Sequence, residues 1–565
     1  MQGPAGAFEL ETQALGPLPV INHFLGRLGV SELLWRYLPH DDARMRLAPG
    51  VVLGVVVANL VTHREPVYAL GEWAAPYDPA LLRLGPGEAA LLNDDRVGRC
   101  LARLFDADRA SLLTELALGA VQRFGIDCSQ LHNDSTSVTF SGFYRGATGV
   151  PRGGKPTAAI TWGHNKDYRP DLKQLVWVLT VSADAAVPIA YRVESGNTND
   201  DGTHIGTWDA LVGLLGRADF LYVADCKLAN REAMDHITAQ GGRFVTVLPR
   251  SRREDKAFRA QAGTEAPAFV ELTRRPGRRI GDPSEVYWGL EAGVSDEGYR
   301  LVWIRSSTKI ALDTKARSDR VERAVARLAE LRERLKGPKS RLKTRVAVEE
   351  AVAAILGDTG AGRWVATEVT EQTEEHFRQE HRGRPGTETR YRKVVRRYFG
   401  LSWSIREDRV AADAASDGCF PLITNDVAMT PAELLAAYKY QPNLERRHAQ
   451  LKGTQLVAPM FLKDSVRIEG LLCCHFIALL VQALIEREIR RAMAAQERPT
   501  IPLYPEDRAC GSPSAARVLE IFNGVARHRL MSNGELIQVF EPTLTSLQLE
   551  VLELLGIPPA AYTSD

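Results

Sequence analysis

The residues with the clearest chemical spacing lie in the stretch YKYQPNLERRHAQLK, where Tyr438, Glu445 and Lys452 follow one another at seven-residue intervals. Seven residues make nearly two helical turns, so Glu445, His448 and Lys452 share one face of a helix. An acid beside a tyrosine hydroxyl and a cation can hold a metal ion next to a phosphate. Pro442 interrupts the pattern, and we expect one helix to end before it and another to begin there. The same spacing also fits a solvated amphipathic helix.

Two aspartates lie at predicted β-strand positions that face a common edge, Asp134 on the first strand of the sheet and Asp225 at the end of the fourth. Asp134 lies in the β-branched segment LHNDST, and Asp225 follows the apolar run FLYVA, which is typical of a strand buried on both faces. Residues at the carboxyl ends of strands gather at one edge of an α/β sheet, where ligands bind. A single aspartate in such a position is more often a turn residue or a helix cap.

Asp134, Asp225 and Glu445 together supply three carboxylates, which repel one another unless cations neutralise them. Their hard oxygen atoms select Mg²⁺ or Mn²⁺, and two such ions about 4 Å apart stabilise the attacking and leaving oxygens of a phosphoryl transfer. The sequence therefore predicts a two-metal site that acts on a phosphodiester. We expect the three carboxylates within roughly 4 to 8 Å of one another in the metal-bound state, and farther apart without metal.

The overall charge gives no argument for a polyanionic partner. Lys and Arg total 71 against 70 Asp and Glu, so the 565 residues carry a formal net charge of +1, and any polyanion site must be local. The strongest local patch is 376–397, with eight Lys or Arg against two Glu and with Phe377 and Tyr391 between them. This pattern indicates either nucleic-acid binding or a solvated loop.

The cysteines and the apolar segments predict a cytoplasmic protein. The seven Cys form no CxxC pair and show no zinc-type spacing to His, as expected of free thiols in a reducing compartment. The N-terminal residues lack the basic and apolar pattern of a secretory signal. The longest apolar run, Leu471 to Ile485, is shorter than a membrane span requires and predicts a buried helix.

The periodicity of the apolar residues predicts an α/β fold with a mixed sheet, divided into five regions. These are a helical N-terminal domain in which Arg96, Arg99 and Arg103 could meet DNA phosphates (1–125), the first part of the sheet domain (126–248), an inserted mixed domain with strands and a charged helix (249–418), the completion of the sheet domain with the Glu445 helix (419–495), and a helical C-terminal tail (496–565).

Motifs along nearly the whole chain carry a family resemblance. They are LHNDSTS, GHNKDYRPDLKQ, ESGNTND, VADCKL, DGCFPLITN, VAPMFLKDSVRIEGLL and a Tyr-x2-Arg-x3-Glu-x6-Lys pattern. Together they resemble the DDE transposases of bacterial insertion sequences, specifically the sixteen-thirty-four group of the insertion sequence four superfamily. The resemblance implies a ribonuclease-H-like fold in which Asp134, Asp225 and Glu445 bind two Mg²⁺ or Mn²⁺ ions. It also implies that 249–418 is a β-rich insertion.

The resemblance extends to the DNA contacts. Tyr438 and Lys452 match positions that contact phosphate near the scissile bond. The arginine of the pattern is replaced by Gln441, which lacks the charge, so Arg446 or Arg447 is the expected substitute. The implied partners are double-stranded DNA, at the transposon ends and at the target, and a second copy of the chain in a homodimer on those ends. The implied location is the cytoplasm, at the nucleoid.

The activity implied by the resemblance is metal-dependent hydrolysis at transposon ends followed by strand transfer into target DNA. Two alternatives stay open. One is a structure-selective nuclease of the same fold that does not join strands, and the other is an inactive DNA-binding repressor or scaffold. The acids at all three positions argue against the inactive protein.

Overall fold

The computed structural model of the protein describes residues 8–39, 45–62, 64–277, 281–337, 342–458 and 460–563. These residues belong to two structural units, one made of Met1–Thr246 and Ala436–Asp565 and the other of Val247–Leu435. The five regions predicted from the sequence divide the chain more finely than these two units do, and their boundaries stay predictions.

The N-terminal part of the first unit is mainly helical, in agreement with its apolar spacing. Its elements are β1 (Phe8–Ala14), α1 (Leu18–Leu28), α2 (Val30–Tyr37), α3 (Pro49–Thr62), α4 (Leu70–Ala74), α5 (Asp94–Asp106) and α6 (Arg109–Phe124). Asn93 caps α5, because its side-chain oxygen accepts a hydrogen bond from the backbone N–H of Arg96. The apolar side chains of α3 and α5 pack against a long C-terminal helix of the same unit.

A mixed sheet flanked by helices follows. Its elements are β2 (Gln130–Phe140), β3 (Lys173–Ser182), β4 (Pro188–Ser195), α7 (His204–Leu215), β5 (Leu221–Ala224), α8 (Arg231–Ala239) and β6 (Arg243–Val247). The strands lie in the order β4-β3-β2-β5-β6, with β2, β3 and β4 antiparallel in turn and β5 parallel to both β2 and β6. The end of β5 therefore lies beside the middle of β2.

The second unit combines antiparallel strands with two long helices. Its elements are α9 (Arg253–Ala262), β7 (Val270–Arg275), β8 (Glu285–Val294), β9 (Arg300–Ser306), α10 (Ser307–Lys336), α11 (Arg345–Thr359), β10 (Val365–Gln379), β11 (Tyr391–Ile405), α12 (Glu407–Ala414) and β12 (Cys419–Thr424). Strands β7, β8, β9 and β12 pair antiparallel in the order β12-β9-β8-β7, while β10 and β11 pair with each other as a separate two-stranded ribbon.

The remaining elements surround the segment that carries Glu445. They are α13 (Pro431–Tyr438), α14 (Gln441–Ala449), α15 (Ser465–Ala495), β13 (Ile501–Tyr504), β14 (Arg508–Cys510), α16 (Ala515–Glu520), β15 (Ala526–Ser532), β16 (Glu535–Phe540) and α17 (Ser546–Leu555). A π-helical turn, Gln450–Thr454, continues α14. The predicted break is confirmed, because α13 ends at Tyr438 and Pro442 lies in the first turn of α14.

Helix α15 is the core of the first unit. By length and composition it is the one helix among the described residues that would suffice to cross a membrane, yet its most apolar window is entirely buried inside the protein. This confirms the buried helix predicted from Leu471 to Ile485. The buried charged side chains on α15 are paired, as buried charges must be. For example, Glu469 accepts a hydrogen bond from Arg109 at 3.2 Å.

The C-terminal region contains four strands as well as helices, and so differs from the helical tail expected over 496–565. Strand β15 pairs antiparallel with β1, and β15 and β16 form a hairpin. Asn533 and Gly534 connect the hairpin and both have positive φ, 53° and 82°, which is the backbone of the tightest β-turns. The pairing with β1 joins residues at opposite ends of the chain, so helical periodicity in the tail alone could not predict it.

Candidate active site

Asp134 and Asp225 lie side by side at the middle of the sheet. In the parallel pair β2 and β5, Asn133 and Ala224 are Cα partners, and each aspartate is the next residue along the chain. Neighbouring strands are about 4.8 Å apart, and side chains at matching positions leave a sheet on the same side. The strand order therefore brings together two acids that are far apart in the sequence.

Asp225 also has a local structural role. Its Oδ1 accepts a hydrogen bond from the backbone N–H of Lys227 at 3.0 Å, which caps a short 3₁₀ turn after β5. Its carbonyl oxygen accepts a hydrogen bond from the Thr246 hydroxyl at 2.5 Å. The cap that the sequence offered as the simpler explanation is therefore present, and it fixes the carboxylate beside Asp134.

A lysine and a further aspartate complete this cluster. The Lys166 ammonium lies 3.5 Å from Oδ1 of Asp134 and 3.1 Å from Oδ2 of Asp200. The Ser135 hydroxyl donates to Asp200 at 2.7 Å, and Lys166 donates to the carbonyl oxygen of Ser135, also at 2.7 Å. We call Asp134, Asp200, Asp225 and Lys166 the acidic edge. Three acids and one cation leave it with an excess of negative charge.

The electrostatics of the acidic edge are set first by burial and then by its charges. Burial raises the pKa of the Asp134 carboxyl to about 6, and Lys166 lowers it while Asp225 and Asp200 raise it. Burial lowers the pKa of Lys166, but Asp134 and Asp200 outweigh this and hold it above its usual value. The fold thus keeps Lys166 charged and makes it costly for Asp134 to be ionised. This is the environment of carboxylates that need more positive charge than the protein supplies.

Helix α14 lies against β2 next to these acids. Gln441 is buried, donates to the carbonyl oxygen of Asn133 at 3.1 Å, and contacts Nδ1 of His132 at 3.0 Å. Glu445 follows one turn later and is exposed. Gln441 therefore fixes the start of α14 to the strand that carries Asp134, and it is not available to DNA.

Tyr438, the last residue of α13, is half-buried. The pKa of its hydroxyl is raised to about 12, first by burial and then by negative charges that include those of Asp225, Glu445 and Asp134. The hydroxyl is therefore protonated at physiological pH and can donate a hydrogen bond.

The acidic edge has the oxygen donors of a divalent-cation site but not a complete ligand set. Within the described residues, no group of three or more His, Cys, Asp or Glu side chains is arranged to hold a metal ion. Asp134 and Asp225 fit a hard cation by donor type and by their unbalanced charge. Lys166 supplies positive charge at the same place, and Glu445 does not join the pair in this conformation. A cation bound here would compete with Lys166 for Asp134.

The three predicted cations differ sharply in accessibility. Lys452, on the π-helical turn, is half-buried and forms an ion pair with Asp167 at 2.5 Å. Arg446 is exposed. Arg447 is buried and bonds Glu486 at 2.8 Å and the carbonyl oxygens of residues 185 and 186 at 2.9 Å. Arg447 cannot contact DNA in this position, which corrects its assignment as a substitute for the missing arginine.

Sequence reasoning missed Lys166 and Asp200 as members of the site. Both lie in motifs that carried the family resemblance, GHNKDYRPD and ESGNTND, but their residue types favoured turns and helix caps, with direct contact to DNA as the alternative. Asn165 does form such a turn, because its side-chain oxygen accepts a hydrogen bond from the backbone N–H of Asp167 at 2.8 Å. The signal that could have found them is the polar character of two connections, one between β2 and β3 and the other after β4, in the same sheet.

His448 was placed on the same helix face as Glu445, and the structure separates the two. Its ring is buried, and neither ring nitrogen has a hydrogen-bond partner among the described residues. Burial lowers the pKa of His448 to about 3, with smaller contributions from Lys452 and Lys166. The ring is therefore neutral at physiological pH, and the acidic face of α14 consists of Glu445 alone.

Comparisons with known proteins give limited information. A family model described as a domain of unknown function, DUF4277, matches residues 10–118. No curated protein matches the chain. A solved structure described as a piggyBac transposase synaptic complex with hairpin DNA is similar over 91% of this chain and 82% of that chain, with a TM-score of 0.38 and 8% sequence identity. Similarity this weak carries no argument, and the function must rest on the site itself.

Proposed function

We propose that the protein is a DNA transposase of the DDE type, related to the sixteen-thirty-four group of the insertion sequence four superfamily. The observation that carries the proposal is the position of Asp134 and Asp225, one residue beyond the paired Asn133 and Ala224 on parallel neighbouring strands. The strand order β4-β3-β2-β5-β6 supports a ribonuclease-H-like sheet. Its first and fourth strands in chain order, β2 and β5, lie next to each other. Glu445, on α14, is the third acid.

The chemistry proposed for this site is hydrolysis of a phosphodiester at the transposon ends and transfer of the freed 3′-hydroxyl to target DNA. Two Mg²⁺ or Mn²⁺ ions, when bound, would supply nucleophile activation and charge stabilisation. Asp134 and Asp225 would hold them from the sheet and Glu445 from α14. Lys166 holds Asp134 and Asp200 in place while the site lacks added charge, and Tyr438 and Lys452 face the substrate phosphate near the scissile bond.

The proposal includes the partners and the location. Double-stranded DNA is the substrate at the ends and at the target, and two copies of the chain act together because a transposon has two ends. Because the proposed substrate is nucleoid DNA, the protein acts in the cytoplasm. Each of these follows from the proposed reaction and from the motifs that resemble the family.

The decisive experiment is cleavage of a plasmid that carries the DNA flanking this coding region. Wild-type protein should nick the borders of that DNA in Mg²⁺ and not in EDTA. Asp134→Asn, Asp225→Asn and Glu445→Gln should each lose cleavage, since an amide keeps the shape of the side chain without its charge. The matched control is Asp219→Asn, because Asp219 is an exposed aspartate paired with Arg217. Cleavage at wild-type rate by all three variants would overturn the proposal.

The same assay separates the two alternatives. Joining of the cut ends to a second plasmid identifies a transposase, whereas cutting without joining identifies a nuclease of the same fold. Binding to the flanking DNA without cutting, in Mg²⁺ and in Mn²⁺, identifies an inactive DNA-binding protein.

A further inference from the structure

The ribbon of β10 and β11 extends well beyond the core of the second unit. Its fifteen residue pairs run from Val365 opposite Ile405 to Gln379 opposite Tyr391. The inner half is held by buried residues that belong to one hydrophobic cluster with α10 and α11, namely Val365, Val369, Phe399 and Leu401. The outer half, 372–379 and 391–398, contains no buried residue, and we call it the outer ribbon. At about 3.4 Å per residue it is roughly 24 Å long.

The outer ribbon has two chemically different faces. Residues directly opposite in an antiparallel pair share a face, and faces alternate along each strand. One face carries Arg378 opposite Arg392, and farther inward Arg396 opposite Glu374. We call it the basic face. The other face carries Phe377 opposite Lys393 and Gln379 opposite Tyr391.

The charges on the second face are neutralised within the ribbon. Lys393 forms an ion pair with Glu375, and Arg397 forms one with Glu371 at 3.5 Å. Both acids lie on the neighbouring strand and on the same face. This face therefore presents paired charges together with the exposed rings of Phe377 and Tyr391.

The basic face carries more positive than negative charge. Among the described residues, Arg378, Arg392 and Arg396 have no ion pair and no side-chain hydrogen bond, and the one acid on this face of the outer ribbon, Glu374, contacts His376 at 3.0 Å. Like charges directly opposite each other destabilise a strand pair. A ribbon that places two arginines opposite each other, with paired cations on its reverse side, carries a one-sided charge that suits an external polyanion.

We propose that the outer ribbon binds B-form duplex DNA by lying in the major groove with the basic face towards the DNA. That groove is about 12 Å wide and admits a two-stranded ribbon, whereas the major groove of A-form RNA is too narrow for one. The excess positive charge of the basic face indicates a polyanionic partner, whatever the protein's activity. The choice of DNA among polyanions rests on the proposed function. Arg378, Arg392 and Arg396 contact phosphates or base edges. The opposite face, with Phe377 and Tyr391, stays away from the groove.

The test measures how DNA binding by the full-length protein depends on salt. The double variant Arg378→Ala/Arg392→Ala removes two cations from the basic face. The matched control, Lys393→Ala/Arg397→Ala, removes two cations from the other face of the same strands and changes the net charge equally. A random-sequence duplex, a single strand of the same sequence and the corresponding RNA duplex serve as probes.

For duplex DNA, the slope of log K against log salt should become shallower by about 2 in the basic-face variant and change little in the control. The conservative variant Arg378→Lys/Arg392→Lys should restore most of the slope, because it keeps the charges. Equal losses in the basic-face variant and the control would overturn the inference, since net charge alone would then explain binding. Equal losses on single-stranded DNA or duplex RNA would overturn groove binding.

The salt dependence of DNA binding is measured independently of cleavage. Asp134→Asn should bind duplex DNA with the wild-type salt slope. If the acid variants still cut DNA while the basic-face variant loses its slope, the proposed function fails and the ribbon inference stands. If the acid variants are inactive while the basic-face variant binds like wild type, the inference fails and the proposed function stands.

Discussion

The acidic edge and the outer ribbon are both clusters of like charge, but the fold treats them in opposite ways. At the acidic edge, Lys166 lies between Asp134 and Asp200 and offsets part of their charge from within. On the outer ribbon, Arg378 and Arg392 lie opposite each other, and neither forms an ion pair among the described residues. The first cluster is half-buried, and its ion pairs with Lys166 lie within the fold. The second is exposed and is free to respond to a partner.

The comparison predicts that charges with internal partners are needed for folding, while charges on the ribbon are needed only for binding. The largest effect is expected for Arg447→Ala. This change leaves Glu486 buried without its main cation, and a broken buried ion pair costs about 3 to 5 kcal/mol. Denaturant unfolding measures the loss. The exposed neighbour is the control, and Arg446→Ala should unfold like wild type. Equal stability of the two variants would contradict the structural role of Arg447.

Gln441→Ala should have the next largest effect. It removes the partner of a buried backbone carbonyl at Asn133 and of the His132 ring, and each buried polar group left unsatisfied costs about 1 to 3 kcal/mol. Gln441→Arg should also destabilise, because it would bury a charge, and it should not tighten DNA binding. The exposed amide in Gln240→Ala gives the control. Tighter DNA binding by the arginine variant, with unchanged stability, would show that residue 441 reaches the DNA.

Lys166→Met should lower the free energy of unfolding by about 1 to 3 kcal/mol in the absence of divalent ions, because Asp134 and Asp200 lose their shared cation. Added Mg²⁺ should then raise the melting temperature more in this variant than in wild type, since the ion no longer competes with the ammonium. Lys227→Met is the control, because Lys227 and Asp201 form an exposed pair at 3.5 Å. If Mg²⁺ raised the melting temperature of wild type and variant equally, Lys166 and Mg²⁺ would not compete for the same carboxylates.

The smallest effect is expected on the ribbon. Arg378→Ala/Arg392→Ala should leave the melting temperature unchanged or slightly raised, because it relieves repulsion and removes no internal contact. Differential scanning calorimetry without DNA measures this. A clear fall in melting temperature would mean that these arginines have structural partners, and would remove the contrast with the acidic edge.

Local chemistry made part of this structure predictable. Pro442 predicted the break between α13 and α14 because proline lacks a backbone donor, and the buried run before Asp225 predicted the end of β5. The strand and turn character of these segments depends on near neighbours only, so a single sequence suffices to predict it.

Contacts between distant segments were not predictable in the same way. The ion pair of Lys166 with Asp134 and the buried pair of Arg447 with Glu486 join residues that the sequence treats as unrelated. Whether an arginine on a short helix is buried depends on what lies against that helix, and one turn of sequence does not contain that information. The catalytic roles of Asp134, Asp225 and Glu445 stay predictions.

The attachment of α14 to α15 through Arg447 and Glu486 has a consequence for synthesis of the chain. Asp134 and Asp225 leave the ribosome together with the first part of the sheet, but 220 residues separate Asp225 from Glu445. At about 5 to 20 residues per second, that delay is roughly 10 to 45 s, and Glu486 follows later still. The nascent protein therefore passes through a long period in which its outer ribbon is complete and the helix that carries Glu445 is not.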